Sequence, residues 1–281
     1  MSGEGFQEED LQLSSGSVHL RAFGTDDGPL VVCIHGLSAN HHGFDRIAPA
    51  LAREGHRVVA LDLRGRGQSP ATEPGSYGLP AHARDVAELA DRLGARRLSV
   101  VGWSLGALIG MQLASTEPNR IERLVMIDHA DREDDVAVTL VERGLGRLDR
   151  TFASPEAYLQ AMRAAGVAEP WSELWETFYR YELAPAEGGW RPVTSRAAAL
   201  EDLAYLDLHD LSEEVWPRLK LPVLLVRAMV PIGGGLIVPA AERDAFAAAV
   251  PSLTVVEIPA NHYGVVAHQQ SIDEICRFLR R

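Results

Sequence analysis

The chain has 281 residues, 46% hydrophobic and 23% charged, which suits one globular α/β domain carrying an insertion. Its 39 acidic residues outnumber 27 basic ones, for a formal charge of −12, which disfavours nucleic acid and anionic membrane surfaces as partners. The start MSGEGFQEED has no apolar signal-like core, no run of about 18 apolar residues occurs, and Cys33 and Cys276 sit in apolar patterns as buried thiols, so a cytoplasmic protein without membrane span or disulfide is expected.

Residues 11–13 and 18–23, joined at Ser15-Gly16, read as antiparallel edge strands. Thr25-Asp-Asp-Gly-Pro29 is a turn. Leu30-Val-Val-Cys-Ile34 is apolar in both directions, which predicts a fully buried strand ending in His35-Gly36-Leu37. Residues 44–53 are predicted helical, with Phe44, Ile47 and Leu51 on one face. A strand over 57–61 ends in Asp62-Leu-Arg-Gly-Arg-Gly-Gln-Ser69. An amphipathic helix spans 79–93 and stops at Gly94.

Leu98-Ser-Val-Val101 is again a buried strand. It runs into Gly102-Trp103-Ser104-Leu105-Gly106, and a small apolar helix follows. A tight Gly-x-Ser-x-Gly turn between strand and helix is the setting of a nucleophile. The turn forces the serine into strained φ/ψ and exposes its Oγ. The glycines leave room where a Cβ would clash, and the helix N-terminus favours developing negative charge. A strand over 124–127 then ends at Asp128.

This alternation predicts a mostly parallel, doubly wound sheet. It pauses over residues 130–205, which show helical patterns and carry nine of the aromatic residues. Among them Trp171, Trp175, Phe178 and Tyr179 follow i, i+4, i+7, i+8 spacing. An all-helical insertion on the carboxyl edge of the sheet reads as a cap over a ligand site. The expected division is a core over 1–129 and 207–281 with a cap over 130–206. Strands over 222–226 and 253–258 and helices over 240–249 and 272–279 resume the sheet pattern. Gly233-Gly-Gly235 suggests a mobile loop; no phosphate-binding motif and no metal-ligand spacing is present.

Taken in order and at these spacings, His35-Gly36, Asp62-x-Arg-Gly-x-Gly-x-Ser69, Gly102-Trp-Ser-Leu-Gly106 and Asn261-His262 make the chain resemble the α/β-hydrolase family over nearly its whole length. The resemblance implies an eight-strand sheet, a cap after the sixth strand and a Ser–acid–His triad without cofactor. A serine hydroxyl needs a base. The resemblance places that base at His262, after the strand over 253–258, with His268 as the alternative.

The base in turn needs an acid. Most relatives carry it shortly after the strand over 222–226, yet no Asp or Glu occurs from 221 to 241. The other family position is the end of the strand that follows the nucleophile helix, where Asp128 stands, with Asp131 next in line. Without either, a Ser–His dyad remains. By the same resemblance the oxyanion is held by the backbone N–H groups of Leu37 and Leu105, and His35 braces its loop.

Candidate pocket residues are Trp103, His41, Trp171, Trp175 and Phe178. Arg64 and Arg66 are expected to pair with carboxylates, and His56, His82 and His209 to be structural. The function expected is a serine hydrolase acting on a small, mainly apolar ester or lactone. C–C bond hydrolysis and cofactor-free perhydrolysis stay open on the same fold, as do a non-catalytic small-molecule-binding protein and a homodimer.

Overall fold

The computed structural model describes residues 5–131, 144–232 and 234–280. Its strands are β1 (Phe6–Leu13), β2 (Gly16–Phe23), β3 (Leu30–Ile34), β4 (Arg57–Leu61), β5 (Leu98–Trp103), β6 (Ile121–Ile127), β7 (Leu183–Ala186), β8 (Gly189–Pro192), β9 (Val223–Ala228) and β10 (Leu253–Ile258). All but β7 and β8 form one eight-stranded sheet in the order β1-β2-β4-β3-β5-β6-β9-β10. The β1–β2 and β2–β4 pairs are antiparallel, and the remaining pairs are parallel. This is the mostly parallel, doubly wound sheet expected.

Each central strand divides its side chains between two cores, because successive residues point to opposite faces. On β3, Leu30, Val32 and Ile34 enter one apolar cluster, while Val31 and Cys33 enter the other. On β9, Val223 and Leu225 face the first cluster, and Leu224, Val226 and Ala228 the second. Helices α2 (Leu79–Arg92) and α3 (Leu105–Thr116) cover the first face, and α1 (Ile47–Arg53) covers the second. Both cysteines are free and buried.

The insertion follows β6. It contains α4 (Pro155–Ala165), α5 (Glu173–Tyr181), the β7–β8 hairpin and α6 (Arg196–Leu208). A short α7 (Leu211–Glu214), then α8 (Ala240–Ala249) and α9 (Gln269–Arg280), complete the chain, with α8 on the first face and α9 on the second. Phe152, Tyr158, Trp175, Phe178 and Tyr179 of the insertion belong to the same apolar cluster as Val31 and Val226. These residues weld that part of the insertion to the second face, while Leu206 of α6 joins the first cluster. Among the described residues no helix is long and apolar enough to cross a membrane.

Four expectations need correction. The insertion is not all helical: β7 pairs with β8, and Phe152 bridges Trp190. Leu183-Ala-Pro-Ala and Gly-Trp-Arg-Pro carry no β-branched residue, and their prolines are tolerated only because both strands are edges. The first strand starts at Phe6, not residue 11. Its exposed Glu8, Glu9 and Asp10 hide the alternation while guarding a sheet edge against pairing. The helix expected over 44–53 is a 3₁₀ turn, His41–Phe44, followed by α1. Finally, α6 runs across the 206/207 boundary. In the glycine loop Ile232 N–H bonds to Gly235 O at 2.9 Å, while Gly233 lies outside the described residues.

Candidate active site

Ser104 joins β5 to α3 with φ 55° and ψ −123°. A non-glycine residue held there costs on the order of 1–3 kcal/mol. The flanking glycines make the turn sterically available. A Cβ on Gly106 would stand 1.9 Å from Ile34 O, and one on Gly102 would stand 2.2 Å from Gly106 O. Ser104 N–H donates to Ile127 O at 3.0 Å, which ties the turn to the end of β6.

The next residue after that strand end is Asp128. Its carboxylate Oδ2 accepts from His262 Nδ1 at 2.9 Å, and both residues are buried. That bond places the neutral ring's proton on Nδ1 and leaves Nε2 as an acceptor. The other oxygen, Oδ1, accepts from Ala228 N–H at 2.9 Å, while Asp128 N–H donates to Val226 O at 2.9 Å. The end of β9 carries no acid of its own, and it grips the acid of β6 instead.

His262 is held from behind, where its carbonyl accepts from Trp103 Nε1–H at 3.1 Å. Asn261 Oδ1 accepts from the N–H groups of Tyr263 and Gly264 at 3.1 and 2.8 Å, and its Nδ2 donates to Val167 O at 3.0 Å. The Asn-His pair therefore caps its own turn and anchors it to the insertion. The alternative base lies elsewhere. His268 precedes α9 and its Nδ1 accepts from Gln270 N–H at 3.2 Å.

The loop of Leu37 lies against the nucleophile: a Cβ on Gly36 would meet Ser104 Cβ at 3.0 Å. His35 braces it as expected. Its Nε2 accepts from Leu63 N–H at 3.0 Å and its Nδ1 donates to Gly36 O at 2.7 Å. Burial pulls its pKa down to about 4, so the ring is neutral. Asp62 anchors the next loop, accepting from His41 N–H at 2.8 Å, Gln68 N–H at 2.9 Å and Tyr181 O–H at 2.6 Å. Burial opposes its charge, but His41 and Tyr181 hold the carboxyl well below the usual range. Arg64 pairs with Asp85, and Arg66 with Asp202, each at 2.5 Å. His82 also bonds Asp202, and His209 faces Glu214.

The pocket candidates fall into three places. Trp103, Trp175 and Phe178 are buried and pack on one another, with ring centroids 5.5 to 6.5 Å apart. They form the layer behind His262, whose ring lies 5.7 Å from Trp103. Trp171 sits before α5 and stacks on Tyr179 at 5.8 Å. His41 is buried on Asp62, its Nδ1 3.1 Å from the carboxylate. Leu105 opens α3 directly after Ser104, and Leu37 follows Gly36, the residue that lies against the Ser104 side chain.

The sequence profile of the alpha/beta hydrolase fold matches residues 29–268. The chain belongs to the α/β-hydrolase family. The pimeloyl-[acyl-carrier protein] methyl ester esterase of Aeromonas hydrophila subsp. hydrophila is 30% identical over 266 residues, covering 92% of this chain and 97% of that protein. The 3-hydroxybutyrate-oligomer hydrolase of Cupriavidus necator is 33% identical over 175 residues, 58% of each chain. The chain spans about half the length of the first curated relatives it matches. Among solved structures, E-2-(acetamidomethylene)succinate hydrolase superposes with a TM-score of 0.86 at 26% identity, covering 99% of this chain and 100% of that one.

Sequence reasoning missed several residues of this α/β-hydrolase site. Arg147 and Glu182, both buried, form an ion pair at 2.9 Å that Tyr158 joins. The partners are 35 residues apart and leave no local signature. His129 is buried beside the acid, and its pKa is lowered to about 3 by desolvation and by the charge of His262. Its position directly after Asp128 was the available clue.

Proposed function

We propose that this α/β hydrolase is a serine hydrolase that cleaves a carboxylic ester, or a lactone, through an acyl-enzyme intermediate. The carrying observation is the strained Ser104, tied by its N–H to the residue before Asp128, together with the buried His262–Asp128 pair at 2.9 Å. In this reading His262 Nε2 takes the proton from Ser104 Oγ as the oxygen attacks the carbonyl carbon. The N–H groups of Leu37 and Leu105 hold the oxyanion. The alcohol leaves with the proton from His262. Water, deprotonated by the same ring, then attacks the acyl group, and the proton returns to Ser104 as the acid departs. Asp128 keeps the Nδ1 proton in place throughout. The insertion acts as a cap, and a small, mainly apolar substrate fits its aromatic composition.

Hydrolysis of an N-acyl bond is the second reading. It is favoured by the similarity to a hydrolase whose named substrate carries an acetamido group. The test is turnover of p-nitrophenyl esters, lactones and an N-acetyl enamine by the wild type and Ser104→Ala, together with labelling by a fluorophosphonate. Ester turnover and labelling that both vanish in Ser104→Ala are expected. A wild type that neither reacts with the fluorophosphonate nor turns over any substrate sinks the serine hydrolase reading.

A further inference from the structure

Three consecutive carbonyls of the loop beside Ser104 each meet a buried donor. Gly36 O accepts from His35 Nδ1 at 2.7 Å, Leu37 O from Arg66 Nε at 3.0 Å, and Ser38 O from Arg147 Nη2 at 2.6 Å. Arg147 Nη1 also reaches Ser38 Oγ at 3.2 Å. The two guanidinium groups are each fixed by an acid of the insertion, Asp202 on α6 for Arg66 and Glu182 at the end of α5 for Arg147. Both acids are fully buried. The remaining donor capacity of Arg147 is spent on the Tyr158 phenolic oxygen Oη at 2.9 Å and Gly144 O at 2.5 Å.

We propose that Arg147, anchored by Glu182, is a positioning residue that sets the direction of the Leu37 N–H donor. Because peptide units are planar, that N–H points opposite the Gly36 carbonyl of its own unit, and the held carbonyls of Leu37 and Ser38 restrain the loop that carries that unit. Clamping the Ser38 carbonyl fixes the far side of the loop, as His35 fixes the near side. Arg147 and Glu182 both come from the insertion, so insertion docking and oxyanion geometry become one event. Only a planar fork serves Ser38, Glu182 and Tyr158 together, and a lysine ammonium cannot. The proposal rests on the serine hydrolase reading, in which Leu37 is a donor.

The test compares wild type with Arg147→Lys and with the double variant Arg147→Met/Glu182→Gln, which leaves no unpaired buried charge. The readouts are kcat and KM on p-nitrophenyl acetate, affinity for phenylboronic acid by tryptophan fluorescence, and the thermal midpoint. A boronate forms a tetrahedral adduct on Ser104 and so senses the oxyanion donors without needing the natural substrate. In Arg147→Lys, kcat falls about 10-fold and KM stays within about twofold. Boronate affinity falls by the same factor as kcat/KM. In the double variant the loss is about 10²-fold, the scale of one misplaced donor.

A folded Arg147→Lys with kcat and boronate affinity within about twofold of wild type overturns the proposal, and so does a loss carried by KM alone. If the lysine variant fails to fold, the double variant decides by the same criteria. A wild type unlabelled by fluorophosphonate removes the underlying reading instead, which separates the two failures.

Discussion

Among the described residues only two non-glycine residues adopt positive φ, Ser104 at 55° and Asp128 at 52°. Local sterics oppose both conformations, so the surrounding sheet must impose them, and they fall on the candidate nucleophile and acid. Asp128→Asn keeps the side-chain shape and its bond to Ala228 N–H, but it favours the wrong imidazole tautomer. Its kcat is expected to fall about 10⁴-fold with the unfolding midpoint nearly unchanged. Near wild-type turnover in that variant would take Asp128 out of the triad. A second residue-scale expectation concerns His35 and His129, whose folded pKa values of about 4 and about 3 lie below the ordinary 6.5. Both rings are neutral in the fold, and the unfolded chain binds the proton first as pH falls. Stability is therefore full above about pH 6.5 and declines as pH drops from there towards 4, by on the order of 3 kcal/mol per histidine. Urea midpoints compared between about pH 7 and about pH 5 test this. A flat profile over that window would mean that these rings are not buried as described.

At the scale of elements, Gly106 in the turn after β5 has the least room of any described glycine position. An alanine at position 106 gains about 1 kcal/mol of helix propensity, yet its methyl would lie 1.9 Å from Ile34 O. Overpacking against backbone outweighs the propensity, and Gly106→Ala is expected to lose about 3 kcal/mol or more. A variant with an unchanged denaturation midpoint would show that β3 yields. The elements that were legible in the sequence are those whose signal is local and periodic. The buried run 30–34 and the helix at 240–249 coincide with β3 and α8, and the last strand with β10. The elements that were not legible lack that periodicity. The acidic half of β1 faces water on both sides, and β7–β8 depends on pairing rather than propensity. Before α1, Asn40 starts the 3₁₀ turn by accepting from His42 N–H, and Asp45 N–H closes it on His42 O.

Across the whole molecule, the triad candidates were legible because each follows a recognisable strand end. A carboxylate partner for Arg66 was expected, but its identity as Asp202, 136 positions away, was not legible, nor was the Arg147–Glu182 pair, 35 positions apart. Charge pairing over such distances is a property of the folded interior, and no window of sequence contains it. The same holds for the aromatic set of the insertion. The helical spacing holds for Trp175, Phe178 and Tyr179 but not for Trp171, which precedes α5, and Trp175 and Phe178 bury themselves against Trp103. One further consequence lies in how the triad candidates are distributed about the insertion. Ser104 and Asp128 precede it, whereas His262 and the Ala228 N–H that steadies Asp128 follow it. The two parts meet along the four paired residues Leu124–Ile127 of β6 and Val223–Val226 of β9. Neither part alone carries both the candidate nucleophile and the candidate base, so under the proposed function turnover at Ser104 reports their reunion. Cut within the insertion, the chain would behave as a split enzyme, silent in each half and active only where the halves are brought together.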